Sequence, residues 1–256
     1  MTPELLNKLG VFNVLPDTPK DFRPEGSWTN HYRIWACKSE DVGYLRLQRR
    51  KSSSDNKFTL NVHQELAGAE GSVSKIDVEI SCMYEQISFP VKWKYKSSFM
   101  DPQGNPVEQL GLQEESSISN NVLTISRGNQ VIKRKLSSEP TCNWCICESV
   151  QRLTKNNKPL AFDMLDDLTV LKTNQHLSGQ GISTISFSNR KIPLYSFVHI
   201  GAGNLPFEYW LDERHRLVMF ISMDKAYILD DEAENVYLDF LNHERKSFLS
   251  RSRKVS

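Results

Sequence analysis

The sequence predicts a mainly β fold: a single antiparallel half-barrel or barrel-like sheet of roughly ten or more strands, with a short helical pair and a C-terminal helix. Three observations predict it. Apolar and polar residues alternate with a period of two through most of the chain, as half-buried strands require. Clusters of Gly, Pro, Asn, Asp and Ser interrupt the alternation at short intervals. Helical spacing of apolar residues is confined to two short stripes and the C-terminus. The 256 residues are 39% hydrophobic and 25% charged, which excludes a disordered chain, a collagen and a membrane bundle. With 32 Lys and Arg against 31 Asp and Glu, the formal net charge is +1. No global field directs the chain to nucleic acid or to an anionic membrane, so any such surface must be local.

Residues 1–26 read as a lead-in, with a short amphipathic turn (Leu5, Leu6, Leu9) before Pro16, Pro19 and Pro24. HYRIWAC and GYLRLQRR read as strands paired across a turn near 39–43. In KFTLNVHQEL the residues Phe58, Leu60 and Val62 alternate with Thr59, Asn61 and His63. KIDVEISC follows the same rule. VKWKYK sets Val91, Trp93 and Tyr95 on one face and Lys92, Lys94 and Lys96 on the other, so the aromatics are expected buried and the lysines exposed. DPQGNP at 101–106 is a strong chain reversal, and NVLTISRGNQVIKRKL reads as a hairpin turning at 127–130. The period then changes: CNWCICESVQRL and AFDMLDDL carry helix-like stripes, predicting helices over about 142–153 and 161–169. Strands resume at GISTISFS, PLYSFVHIG, LPFEYWL, RLVMFISM and KAYIL. Residues 27–230 thus read as one β-rich domain, followed at 231–256 by a helix and a basic tail.

The stretch 205–229, LPFEYWLDERHRLVMFISMDKAYIL, is a proline-led strand ending in an aromatic and Leu-Asp, a polar turn, then Arg-Leu and an apolar strand. It resembles the closing hairpin of bacterial half-barrel proteins of the lipoprotein-carrier type and of uncharacterised relatives. The resemblance implies a curved sheet wrapped around short helices and an acyl chain or other apolar ligand held in the cavity. It covers this hairpin and the order of elements only.

The N-terminus lacks the basic start and apolar core of an export signal. No window approaches the roughly 18 uninterrupted apolar residues of a membrane helix. Five cysteines and the lack of an Asn-x-Ser/Thr sequon fit a reducing compartment. The chain therefore reads as soluble and cytoplasmic, or periplasmic if Met1 replaces a removed signal.

Cys142, Cys145 and Cys147 have thiolate-ligand spacing for zinc or iron–sulfur, but a fourth ligand would have to come from Cys37, Cys82 or a distant histidine. Packing as small apolar groups is the plainer reading, and no metal or other cofactor is expected. His199 shares a strand face with Tyr195 and Phe197 and is the best-placed histidine for a cavity. The glycines of HIGAGNLP precede a strand, not a helix, which excludes a dinucleotide loop. Arg46, Gln48 and Arg50, Lys92, Lys94 and Lys96, and Lys133, Arg134 and Lys135 line three strands; as neighbours they would make a polyanion surface.

The functional expectation is non-catalytic binding of an apolar or amphipathic ligand, such as a lipid, or of a partner segment, in a barrel-like cavity. Its expected walls are Tyr195, Phe197, Phe207, Tyr209 and Met219, with His199 as a polar group at the rim. The alternatives are a surface module binding a polyanion, and a small β-barrel enzyme built on His199 or on the cysteine cluster.

Overall fold

The computed structural model describes residues 3, 15–36, 40–53, 56–154, 158–187 and 190–252. Within them the alternating segments become fifteen strands of one sheet. A first run comprises β1 (Trp28–Ala36), β2 (Glu40–Lys51), β3 (Lys57–Ala67), β4 (Val73–Met83), β5 (Phe89–Met100), β6 (Leu112–Ser119), β7 (Val122–Arg127) and β8 (Gln130–Lys135). Each strand pairs antiparallel with the one before it. A short β9 (Thr141–Cys142) leads into helix α1 (Asn143–Ser149) and a 3₁₀ turn (Val150–Arg152). The second run is β10 (Leu160–Asp166), β11 (Val170–Phe187), β12 (Arg190–Gly201), β13 (Phe207–Leu211), β14 (Leu217–Ile221) and β15 (Lys225–Leu229). Helix α2 (Ala233–Ser252) follows. The two runs join where β15 pairs antiparallel with β1, so β8 and β9 are the two edges.

The pleat determines which side chains meet the core. In β5, Trp93 is 1% exposed and Tyr95 half-buried, while Lys92, Lys94 and Lys96 are exposed, so the faces follow the period of two and Tyr95 is less enclosed than expected. The same register carries Leu45, Leu47, Leu60, Val62, Val78 and Ile80 to the inner face, all buried. The sheet curls until β9 returns against the start of β5. There the Thr141 hydroxyl donates to the Ser88 carbonyl at 2.6 Å, and the Ser88 N–H donates to Ser149 Oγ at 2.9 Å. Side chains thus close a barrel-like shape that the backbone ladder leaves open.

Helix α1 plugs the interior. Every residue from Trp144 to Ser149 is buried, which a sheet wrapped around a short helix demands. Helix α2 instead lies outside, burying Ala233, Tyr237 and Leu241, spaced four apart, against Tyr44 and Val73. None of the described helices is long and apolar enough to cross a membrane.

The second helix expected at about 161–169 is not a helix. Its residues form β10, antiparallel to β11 and parallel to β9. The register shifts between Phe162 and Met164, so an extra residue offsets the alternation and buries Met164 and Leu165 in succession. That offset imitates helical spacing. The amphipathic turn at Leu5, Leu6 and Leu9, Cys37, and the tail residues Arg253 and Lys254 lie outside the described residues.

Candidate functional site: a cavity beneath the plug helix

Between α1 and the inner face of the sheet lies a cavity of about 270 Å³. Strands β13, β14 and β15 build one wall. Register sets Phe197 opposite Tyr209, Tyr209 opposite Phe220, and Phe220 opposite Tyr227, so aromatic side chains stack across strands. The Phe220 and Tyr227 rings lie 4.2 Å apart at 8°, Tyr209 and Phe220 6.2 Å at 19°, and Phe207 and Tyr209 6.3 Å at 26°. Trp144 and Cys147, one helical turn apart on α1, face this wall, with Leu45, Leu66, Ile76 and Met164 completing the apolar lining.

The polar lining comes from loops and strand ends: Asn143, Asp166, Asp167, Asn204, Lys225, Gln64 and His199. Asp166 is fully engaged, accepting from Asn143 Nδ2 at 2.8 Å and pairing with Lys172 Nζ at 2.5 Å. Asp167 is held by its backbone N–H, which donates to Asn143 Oδ1 at 3.2 Å. Its carboxyl pKa is raised by desolvation and by neighbouring Asp166. Among the described residues, the Asp167 carboxylate, the Lys225 ammonium and the Tyr209 and Tyr227 hydroxyls make no hydrogen bond or ion pair.

His199 is 2% exposed, so it is a wall residue of the cavity and not the rim group the sequence suggests. Gln175 fixes its state. The Gln175 amide nitrogen donates to the carbonyls of Thr173 and Ala202, which assigns Oε1 as the acceptor facing His199 Nε2 at 3.1 Å and Asn204 Nδ2 at 2.7 Å. Nε2 therefore carries the hydrogen and Nδ1 keeps its lone pair. Burial lowers the His199 pKa to about 4, so the ring is neutral near pH 7. Gly201 makes this arrangement possible, because a Cβ there would stand 2.2 Å from Gln175 Oε1.

Phe207, Tyr209 and His199 line the cavity as the sequence suggests; Tyr195, Phe197 and Met219 do not. Tyr195 stacks on His215 at 5.3 Å. Phe197 is buried in the core. Met219 pairs with Trp210 on the opposite face of the sheet from Tyr209 and Phe220. All five residues of β14 are buried, so alternation cannot say which of Met219 and Phe220 points inward. Phe220, Tyr227, Trp144, Asp167 and Lys225 are among the lining residues that sequence reasoning misses. The clearest available signal is Tyr227, which alternates with Ala226 and Ile228 in KAYIL.

Helix α1 is held over the cavity by a buried charge network. Glu148, 0% exposed, pairs with Arg49 Nε at 3.0 Å and Arg152 Nε at 2.9 Å and accepts from Ser88 Oγ at 3.0 Å. The Arg49 and Arg152 guanidiniums also lie over Phe58 and Tyr84 at 4.4 and 4.2 Å.

The cysteines occupy the core beside this network. Cys82, Cys142, Cys145 and Cys147 are all buried and reduced, with Cys82 Sγ 3.6 Å from Cys145 Sγ. Burial pushes their pKa values up, which favours the thiol over the ligand-competent thiolate. Among the described residues no three His, Cys, Asp or Glu side chains are arranged to hold a metal ion.

The outer face carries a groove of about 420 Å³. Its basic strands are not neighbours. Arg46 on β2 and Lys96 on β5 are separated by His63 and Asp77; Gln48 and Lys94 are separated by Asn61 and Glu79. Lys94 also pairs with Glu115 at 3.7 Å. Lys133, Arg134 and Lys135 lie on edge strand β8, with β6 and β7 in between, where charge discourages edge-to-edge pairing. The groove is a mixed-charge lattice and lacks the continuous cationic track that a phosphate backbone follows.

No family model matches the chain, and no curated protein matches it. Among solved structures it is similar to a beta-barrel-like protein of a domain of unknown function, DUF1849, from Brucella abortus, at 8% identity. The match covers 80% of this chain and 96% of that one with a TM-score of 0.50. At that identity the likeness is one of fold, and it supports the barrel-like architecture.

Proposed function

We propose that this protein is a non-catalytic binding module that takes a small amphipathic molecule into the cavity beneath α1. The carrying observation is the aromatic ladder Phe207–Tyr209–Phe220–Tyr227, with two hydroxyls left without partners in the described structure. An apolar wall with a few convergent polar groups is the usual form of a ligand site. Transfer of ligand apolar surface from water supplies about 25 cal/mol per Å², against which the ordering of both partners is set.

Size narrows the ligand. A cavity of roughly 150 Å³ holds benzene, so about 270 Å³ suits a compact aromatic body or a short chain. That is smaller than the acyl anchor implied by the lipoprotein-carrier resemblance. A binding role also fits His199 better than a catalytic one. A ring with a pKa of about 4, engaged by Gln175 through Nε2, is poorly matched to general-base work near pH 7.

Titration with 1-anilinonaphthalene-8-sulfonate at low and high salt tests the proposal. Saturable fluorescence enhancement that changes little with salt is expected. Absence of uptake, or binding that collapses as salt rises, would favour a charged surface site instead.

A further inference from the structure

We infer that the cavity's ligand is a small aromatic zwitterion: a flat ring system bearing one ammonium and one carboxylate, as in an aromatic amino acid. The inference rests on the cavity being the binding site and deepens that reading.

The mouth carries two charged groups of opposite sign with no ion-pair partner among the described residues, Asp167 and Lys225. They are not within 4.0 Å of each other, and Asp166 beside them is already neutralised by Lys172. A ligand that closes the mouth must desolvate both. A neutral ring would leave two charges stripped of water, with only their mutual attraction beyond ion-pair distance to offset the loss. A ring acid would pair with Lys225 and strand Asp167; a ring amine would do the reverse. Each stranded charge costs binding free energy, because a buried group that loses water and gains no partner pays its full desolvation penalty. A ligand carrying both charges meets both.

The groups behind the mouth agree. The ladder offers flat apolar contact for a ring. The Tyr209 and Tyr227 hydroxyls and the neutral His199 Nδ1 supply hydrogen-bonding groups of both kinds for ring heteroatoms. A volume of about 270 Å³ admits a compact aromatic body such as indole, not an extended chain.

Calorimetric titration of the full chain with four probes separates the possibilities: tryptophan, tryptamine, indole-3-propionate and indole. Tryptophan is expected to bind at least about tenfold more tightly than any of the other three, as two charge-assisted contacts require. Lys225→Met should weaken tryptophan and indole-3-propionate while sparing tryptamine. Asp167→Asn should weaken tryptophan and tryptamine while sparing indole-3-propionate. Asparagine tolerates the left-handed backbone that Asp167 adopts (φ 46°), so that variant keeps the turn. If indole binds as tightly as tryptophan, or if neither substitution discriminates among the probes, the zwitterion assignment is overturned. If the anilinonaphthalene dye enters while all four probes fail, the assignment also falls and the cavity reading stands. If dye and probes fail together, the cavity reading itself is wrong.

Discussion

Glu148 is a carboxylate with no exposed surface, held between Arg49 and Arg152 and bonded to Ser88. Removing one member of such a group leaves the others charged and desolvated, which typically costs about 3–5 kcal/mol. Glu148→Ala should therefore lower unfolding free energy by about that amount, read from denaturant midpoints at constant m-value. A loss under about 1 kcal/mol would mean that the arginines find solvent and that α1 is anchored by packing alone. The neighbouring thiols carry a second expectation. Because Cys82, Cys142 and Cys145 are buried away from the cavity and their pKa values are raised, none of these should react with a disulfide reagent at neutral pH until the chain unfolds. Fast labelling of any of the three in native protein, mapped by mass spectrometry, would contradict this placement.

At the scale of elements, α2 is attached through a proton-sensitive contact. His63 lies 2.7 Å from Tyr44 Oη through Nε2 and 2.7 Å from Asp77 Oδ1 through Nδ1, with Glu65 Oε1 3.4 Å from Nε2. Tyr44 in turn meets Glu234 of α2 at 3.5 Å, and its ring packs at a tilt of 46° against Tyr237. Arg46 and Lys75 flank the cluster on β2 and β4. The hydrogen bond to Glu65 raises the His63 pKa, burial opposes this, and the bond to Asp77 raises it further. A raised folded value means that the stabilisation is complete below the unfolded pKa of about 6.5 and is lost as pH rises through the folded value. Physically, protonated His63 donates to Tyr44, which frees the phenol hydrogen for Glu234 on the helix. The stability advantage of wild type over His63→Gln should thus grow as pH falls from about 8 to about 6, measured by denaturation across that range. An advantage that grows with rising pH would contradict the assignment.

Elements also mark how far the sequence is readable. VKWKYK declares its faces because lysine and aromatic residues cannot exchange sides of a pleat without burying charge. β10 hides behind a register shift that mimics a helix stripe, and β14 hides because both its faces are buried. β6 gives no apolar alternation, since Glu114 and Ser116 occupy its inward positions. In the site, Tyr209 and His199 are legible from β12 and β13. Phe220 and Tyr227 become visible only once the β13–β14–β15 register is known, and Asp167 and Lys225 only once α1 and β10 are folded against them.

For the whole molecule, the sheet encloses more space than α1 fills, and the remainder lies between Trp144 and the ladder on β13–β15. The Thr141–Ser88 contact closes the barrel-like shape, while the outer groove presents alternating charges with no sustained sign. The barrel-like shape, not the surface, therefore carries the functional reading. The most direct measurement is a crystal structure of the protein soaked with the anilinonaphthalene dye. The dye's rings are expected against Phe220 and Tyr227, beneath Trp144, with Lys225 near its sulfonate. Density confined to the outer groove, or a cavity filled by its own side chains with no dye bound, would contradict it.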